Sequence, residues 1–278
     1  MQEFAKFKEK IRENRIDNVF NELRSNGRKA LIPFITCGYP SVDGFMKLFD
    51  VLEKNGADII EIGIPFSDPL ADGPVIQATS KIALENGINT DTVMDTIVKI
   101  RSNSNIPIVV LTYFNTVYRY GIDKFLKRAS SAEVDGLIIA DLPLEEFYNY
   151  RLFFNNSSID KIMLASLTSS KERLYKISNI CKGFLYCVAV KGVTGIRDGI
   201  SSEVKDFLVK LRSITNLPLA LGFGISNPEQ INEVKKYCDA IIIGSKLLSL
   251  LLDADDFNKG LSKVEEFMIK VKNVLKVN

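Results

Sequence analysis

The 278-residue chain contains no histidine. This removes the commonest acid–base side chain, so any proton chemistry must fall to carboxylates, lysine, tyrosine or cysteine. It also leaves a zinc site with few ligands. There are only four cysteines, Cys37, Cys181, Cys187 and Cys238, and none forms a CxxC pair. They read as free buried thiols in a reducing compartment, and no metal is expected. No apolar run approaches the ~20 residues that a membrane span needs. The opening MQEFAKFKEK lacks the apolar stretch of a secretory signal. The expectation is a soluble, cytoplasmic protein. Charge of either sign is not in excess, since 36 Lys and Arg face 34 Asp and Glu. Lysines are scattered and form no stripe. Neither nucleic acid nor a membrane is an expected partner.

Hydrophobic residues make up 46% of the chain, enough for one large core. Short β-branched runs recur at 31–36, 58–64, 106–112, 134–140, 161–166, 183–189, 217–223 and 239–244. Their nearly continuous apolar character suits parallel strands covered on both faces. Helical stripes fill the gaps. Phe45, Leu48, Phe49 and Leu52 share one helix face, with Ser41 as N-cap and Gly56 as stop. Ile122, Phe125, Leu126 and Ala129 make a second stripe. Further helices are expected at 145–155, 170–180, 202–213 and 227–236, the last starting at Asn227-Pro228. An amphipathic segment at about 3–25 precedes the first strand. Eight strand–helix units predict a single (β/α)8 TIM barrel over residues 1–278, with an extra N-terminal helix. An open doubly wound sheet remains the alternative, because strand count does not prove closure.

One strand breaks its own pattern. In DIIEIGI, Ile60, Ile62 and Ile64 share a parity that suits the helix-facing side. Glu61 then points into the barrel near the strand's C-terminal end, where barrel enzymes carry their active sites. An apolar lining would raise its pKa toward that of a general acid. The next segment, PFSDPLADGP at 65–74, reads as a rigid loop holding Asp68 and Asp72. Asp68 fits a turn former. Asp72 is open to either role. At the far end of the chain, Gly222-Phe223-Gly224 closes the seventh strand and Gly244-Ser245 the eighth. Glycines and a helix start at Ser245 suit a phosphate, which backbone N–H groups and the helix dipole favour. Gly192-Val193-Thr194-Gly195 follows the sixth strand and can add a donor.

These residues fall in a recognisable pattern. IEIGIPFSDPLADGPVIQ at 60–77 closely resembles the signature of the tryptophan synthase α-subunit family. LIPFITCGYP at 31–40, GVTGIR at 192–197, LGFGISNPEQ at 221–230 and IIIGSKLL at 241–248 agree in order. The resemblance implies a retro-aldol cleavage of indole-3-glycerol phosphate to indole and glyceraldehyde 3-phosphate. It places the catalytic carboxylates on Glu61 and Asp72. It implies an indole pocket of Phe34, Leu111, Ile138, Tyr186 and Phe223, and a phosphate site of Gly195, Gly224, Gly244 and Ser245. Asp141, in ADLP, also matches. Thr194 would close over Asp72 with the loop 190–202. Val190 and Lys191 depart from the arginine and serine that some members carry there. No cofactor is implied for this chain. Pyridoxal phosphate belongs to a β subunit that would consume the indole in an α2β2 heterotetramer. Two other readings are weaker. A Schiff-base aldolase needs an inward lysine, whereas Lys161 starts its strand and Lys191 lies beyond one. A paralogue that only binds a partner would not need both carboxylates and the phosphate glycines.

Overall fold

The computed structural model describes residues 14–188, 201–222 and 224–276. Among them, parallel strands form one curved wall: β1 (Ala30–Thr36), β2 (Ile60–Gly63), β3 (Ile108–Thr112), β4 (Gly136–Ile139), β5 (Asp160–Lys161), β6 (Leu164–Ser166), β7 (Leu185–Val188), β8 (Leu219–Gly222) and β9 (Ala240–Ile243). Their order is β5-β4-β3-β2-β1-β9-β8-β7-β6. The two ends of this order are neighbours in the chain, separated only by Ile162 and Met163. Ile162 N–H donates to the Leu137 carbonyl at 3.1 Å, and Tyr186 N–H donates to the Met163 carbonyl at 3.0 Å. The wall therefore closes into a (β/α)8 TIM barrel, and the open sheet is excluded. The expected strand 161–166 is present as two pieces, one paired to each side.

The helices are α1 (Arg15–Ser25), α2 (Val42–Lys54), α3 (Pro74–Glu85), α4 (Thr90–Arg101), α5 (Phe114–Tyr120) and α6 (Ile122–Ser131). After them come α7 (Leu144–Asn155), α8 (Lys171–Ile180), α9 (Ser202–Arg212), α10 (Pro228–Val234), α11 (Ser245–Leu252) and α12 (Phe257–Leu275). Local chemistry sets several ends. Ser41 accepts the Gly44 N–H at 3.1 Å, and Asn227 accepts the Gln230 N–H at 2.9 Å. Gly56 follows α2 with φ 105°, a conformation glycine adopts without strain. The sequence reading names no helix for α3, α4, α5 or α12. In α12 the signal is plain: Gly260, Val264, Phe267, Met268, Val271 and Leu275 form its buried stripe.

Side-chain parity separates two cores. Ile60, Ile62 and Ile64 join the layer between wall and helices. Ala30, Ile32, Ile59, Val109, Ile138, Ile162, Phe184, Ala220, Ala240 and Ile242 fill the barrel interior. Helix α1 contributes Ile16, Phe20 and Leu23 to this inner core and so plugs the N-terminal mouth. Phe20 packs on Phe184 with ring centroids 6.0 Å apart. Polar ties hold the plug. Asn14 donates to Asp160 at 2.9 Å, and Arg15 pairs with Asp135 at 3.0 Å and with Glu133. Residues 1–13, the start of the expected amphipathic segment, lie outside the described residues.

The plug makes a quantitative claim. Ile16 is fully buried against the barrel floor, and Ile16→Ala leaves a cavity there. Unfolding stability is expected to fall by about 2–5 kcal/mol in urea titration. An unchanged midpoint would make α1 an appendage.

Candidate active site

Strand β2 carries the acid. Its inward parity runs Ile59, Glu61, Gly63, and Glu61 is fully buried. Neither oxygen of its carboxyl group has a hydrogen-bond partner among the described residues. Burial pushes its pKa up to about 8, with the negative charge of Asp72 as the second cause. A buried carboxylate without partners is costly, and protonation removes that cost.

Asp72 sits at the end of an irregular segment that leaves β2, just before Pro74 opens α3. Its backbone is fixed at both ends of the residue. Its N–H donates to the Pro69 carbonyl at 3.0 Å, and its carbonyl accepts from Gln77 Nε2 at 2.9 Å. The Tyr113 hydroxyl donates to Asp72 Oδ2 at 3.0 Å and accepts the Ala71 N–H at 3.1 Å. Phe66 stacks on the Tyr113 ring at 4.9 Å and 22°. Burial raises the Asp72 pKa to about 6, and the Tyr113 hydrogen bond opposes that rise. Tyr113 is absent from the sequence reading. Its place one residue past the C-terminal end of β3 was the available signal. Asp68 behaves as a turn residue, bonded by Ser67 Oγ at 2.5 Å. Asp141 accepts the Phe114 N–H at 2.6 Å and ties the end of β4 to the start of α5.

Phe34, Leu111, Ile138 and Tyr186 come from four strands and share the interior parity. Phe34 stands in register with Glu61, and Leu111 with Ile138. The Tyr186 phenol is raised by burial and then by the charges of Glu61 and Asp72, which places it in their field. Phe223 lies outside the described residues, as do Val190, Lys191, Thr194 and Gly195. Gly224 has φ 79°, and Gly244 precedes α11, which starts at Ser245 without a side-chain cap. Its first N–H groups therefore lack intrahelical partners. Two glycines have a packing reason that the sequence did not suggest. A Cβ on Gly244 would come 3.0 Å from Phe34 Cδ1, and one on Gly222 would come 2.5 Å from Tyr186 Cε1. Lys161 faces the helix layer in register with Leu137 and donates to Asn155 at 3.1 Å.

A closed parallel barrel with two ionisable carboxyl groups at its C-terminal mouth has the architecture of the (β/α)8 enzymes, which carry their active sites at that end. The chain belongs to the tryptophan synthase alpha chain family, whose family model matches residues 20–276. That family is a lyase that cleaves indole-3-glycerol phosphate, and its alpha subunit supplies indole to the β subunit. The tryptophan synthase alpha chain of Caldanaerobacter subterraneus subsp. tengcongensis is 46% identical over 94% of this chain and 100% of its own length. That of Clostridium kluyveri is 43% identical over 94% of this chain and 99% of its own. Among solved structures, tryptophan synthase subunit alpha from Legionella pneumophila str. Paris superposes with a TM-score of 0.86 at 33% identity, covering 94% of this chain and 98% of that one. A chain of Mycobacterium tuberculosis tryptophan synthase gives a TM-score of 0.87 at 30% identity, covering 95% and 99%.

Two outcomes follow from the carboxyl pair. Tyr113→Phe removes the bond that holds the Asp72 pKa down, so the acidic limb of the pH–rate profile should move to higher pH. A limb that stays in place would separate Tyr113 from Asp72. The second concerns stability. The folded-state pKa of Glu61 lies above its ordinary 4.5. Its stabilising share is therefore complete below pH 4.5 and is lost as pH rises through about 8. Thermal unfolding should show the native protein losing more stability across that range than Glu61→Gln. Parallel losses would mean that folding does not raise the Glu61 pKa.

Proposed function

We propose that Glu61 and Asp72 divide the proton transfers of the retro-aldol cleavage between them. The unpartnered, buried Glu61 carboxyl beside an ionisable Asp72 is the observation that carries this reading. With pKa values of about 8 and about 6, Glu61 is mostly protonated and Asp72 mostly ionised at pH 7. Protonated Glu61 delivers its proton to indole C3. Asp72 stabilises the positive charge that develops at the ring nitrogen, accepts the N–H proton, and returns it to the nitrogen as the carbon–carbon bond breaks. Glu61, now a carboxylate, takes the glycerol hydroxyl proton as the carbon–carbon bond breaks. One proton donor that becomes a base, beside one carboxylate that borrows a proton and gives it back, completes the cycle without histidine.

The ring would lie among Phe34, Leu111, Ile138, Tyr186 and Phe223. The phosphate would take backbone N–H groups of Gly195, Gly224 and Gly244 and the Ser245 end of α11, whose dipole favours an anion. Thr194 would hydrogen-bond Asp72 when its loop closes, holding the carboxylate toward the indole nitrogen. The chain acts as a single barrel domain over residues 1–278 in the cytoplasm. It needs no cofactor of its own, and pyridoxal phosphate belongs to the β subunit. The partner complex is α2β2. Leu70 is 88% exposed on the 65–74 segment and Tyr118 is 60% exposed on α5, next to the barrel mouth. Apolar groups so placed favour a β subunit covering that face.

The kinetic test uses indole release. Glu61→Gln should lower kcat by about 10²–10⁴-fold while leaving affinity for the phosphate-bearing substrate near normal. The native kcat/KM should be bell-shaped, with limbs near 6 and 8 that belong to the coupled pair. Near-normal turnover by folded Glu61→Gln would remove this residue from the mechanism.

A further inference from the structure

The barrel wall has one incomplete place. β5 pairs with β4 only through Asp160 with Gly136 and Lys161 with Leu137. Beyond Met163 the chain leaves β4, and β6 pairs with β7 instead. Among the described residues, no ladder joins the C-terminal half of β4 to β6. A cavity of about 480 Å³ lies at this seam, roofed by α7 and α8. Its walls include Leu137, Ile139 and Phe147 from the helix layer, and Ile162 and Leu164 from the interior parity. Side chains from both faces of the sheet line one space, so the cavity passes into the wall. Ile139, Met163 and Leu164 are only half-buried, although parallel barrel strands are normally covered on both faces. A pocket of this size, open to solvent at its rim, falls within the range that holds small organic ligands.

The cavity is separate from the catalytic pair. Glu61, Asp72 and Tyr113 do not line it. The two spaces share a wall at Leu164, whose ladder neighbour is Tyr186. Each charged side chain at the rim already has a hydrogen-bond partner. Arg173 forms an ion pair with Glu145, Asp141 accepts the Phe114 N–H, and Lys161 donates to Asn155. The walls beyond this rim are apolar, so a charged ligand would lose most of its hydration there without gaining a buried counter-charge. The hydroxyl side chains that line the cavity are Ser166, Thr168 and Ser169, of which the Ser166 and Thr168 hydroxyls bond each other at 2.9 Å and keep acceptor capacity.

We propose that the seam between β4 and β6 is a second binding site, for an uncharged, flat aromatic molecule with a single N–H or O–H donor. The ring lies between Ile139 and Leu164, and the donor bonds the Ser166–Thr168 hydroxyl pair. This site goes beyond the catalytic reading and does not depend on it. The product of the family's reaction has this chemistry, so indole is the natural probe.

The test titrates 5-fluoroindole into the full chain by fluorine NMR, with and without saturating indole-3-propyl phosphate to occupy the catalytic site. A bound resonance that survives the phosphate compound is expected. Ile139→Trp fills the cavity and should weaken that resonance's affinity at least about tenfold, while indole-releasing kcat stays within about twofold. Loss of all fluoroindole binding in the presence of the blocker overturns the proposal, and so does unchanged affinity in folded Ile139→Trp. A blocker that fails to bind would count against the catalytic reading alone, and the seam is then judged by Ile139→Trp. If that variant does not fold, wild-type crystals soaked with indole decide. Density between Ile139 and Leu164 supports the site, and density elsewhere only, or none, overturns it.

Discussion

The structure is organised around a carboxylic acid buried where no hydrogen bond meets it. Glu61 sits in the apolar interior of a parallel barrel, and that environment selects its neutral form. An ionised carboxylate there would cost several kcal/mol, far more than a surface charge. Beneath the acid the barrel interior is packed with side chains. Ile59, Val109, Phe184 and the side chains of α1 fill the lower barrel. The second carboxyl group is treated differently. Asp72 stands on a loop, has a phenol hydrogen bond and stays closer to the ordinary range. Two residues of the same chemical type thus acquire pKa values on either side of neutrality from their surroundings.

The upper barrel is shaped by missing side chains as much as by those present. Gly63 and Gly244 flank Phe34, and Gly222 lies against Tyr186. Each glycine makes room for an aromatic ring from a neighbouring strand, and the rings stand on either side of the buried acid. Fixing the rings by contact with backbone gives the pocket rigid walls. Gly244 also precedes α11, so this one glycine serves both close packing and access to backbone N–H groups.

Much of this was legible in the sequence, and for definite reasons. The parity of Ile60, Ile62 and Ile64 alone turns Glu61 inward, and the structure places it there. Eight apolar runs located all eight wall positions, because a strand covered on both faces has few ways to look otherwise. The break in the fifth strand was not legible, since KIMLAS is continuous in its apolar character and only pairing reveals the step. Tyr113 was missed because its role depends on a contact between residues 41 positions apart. The packing role of Gly222 and Gly244 was hidden for a similar reason. A turn glycine and a glycine that yields to a ring look alike until the ring is in place. The phosphate glycine Gly195, the pocket residue Phe223 and the loop residue Thr194 rest on family resemblance, outside the described residues.

The divided fifth strand also shapes how the chain is connected. Among the described residues, every ladder but one joins strands that follow each other in sequence. The exception is β1 with β9, where Ala30 meets Ala240. Two half-rings can thus form largely from nearby segments, and the entropy of closing a long loop falls mainly on that one junction. The barrel is a chain of short-range pairings fastened by a single long-range one, and its topology carries a lower contact order than its circular shape suggests.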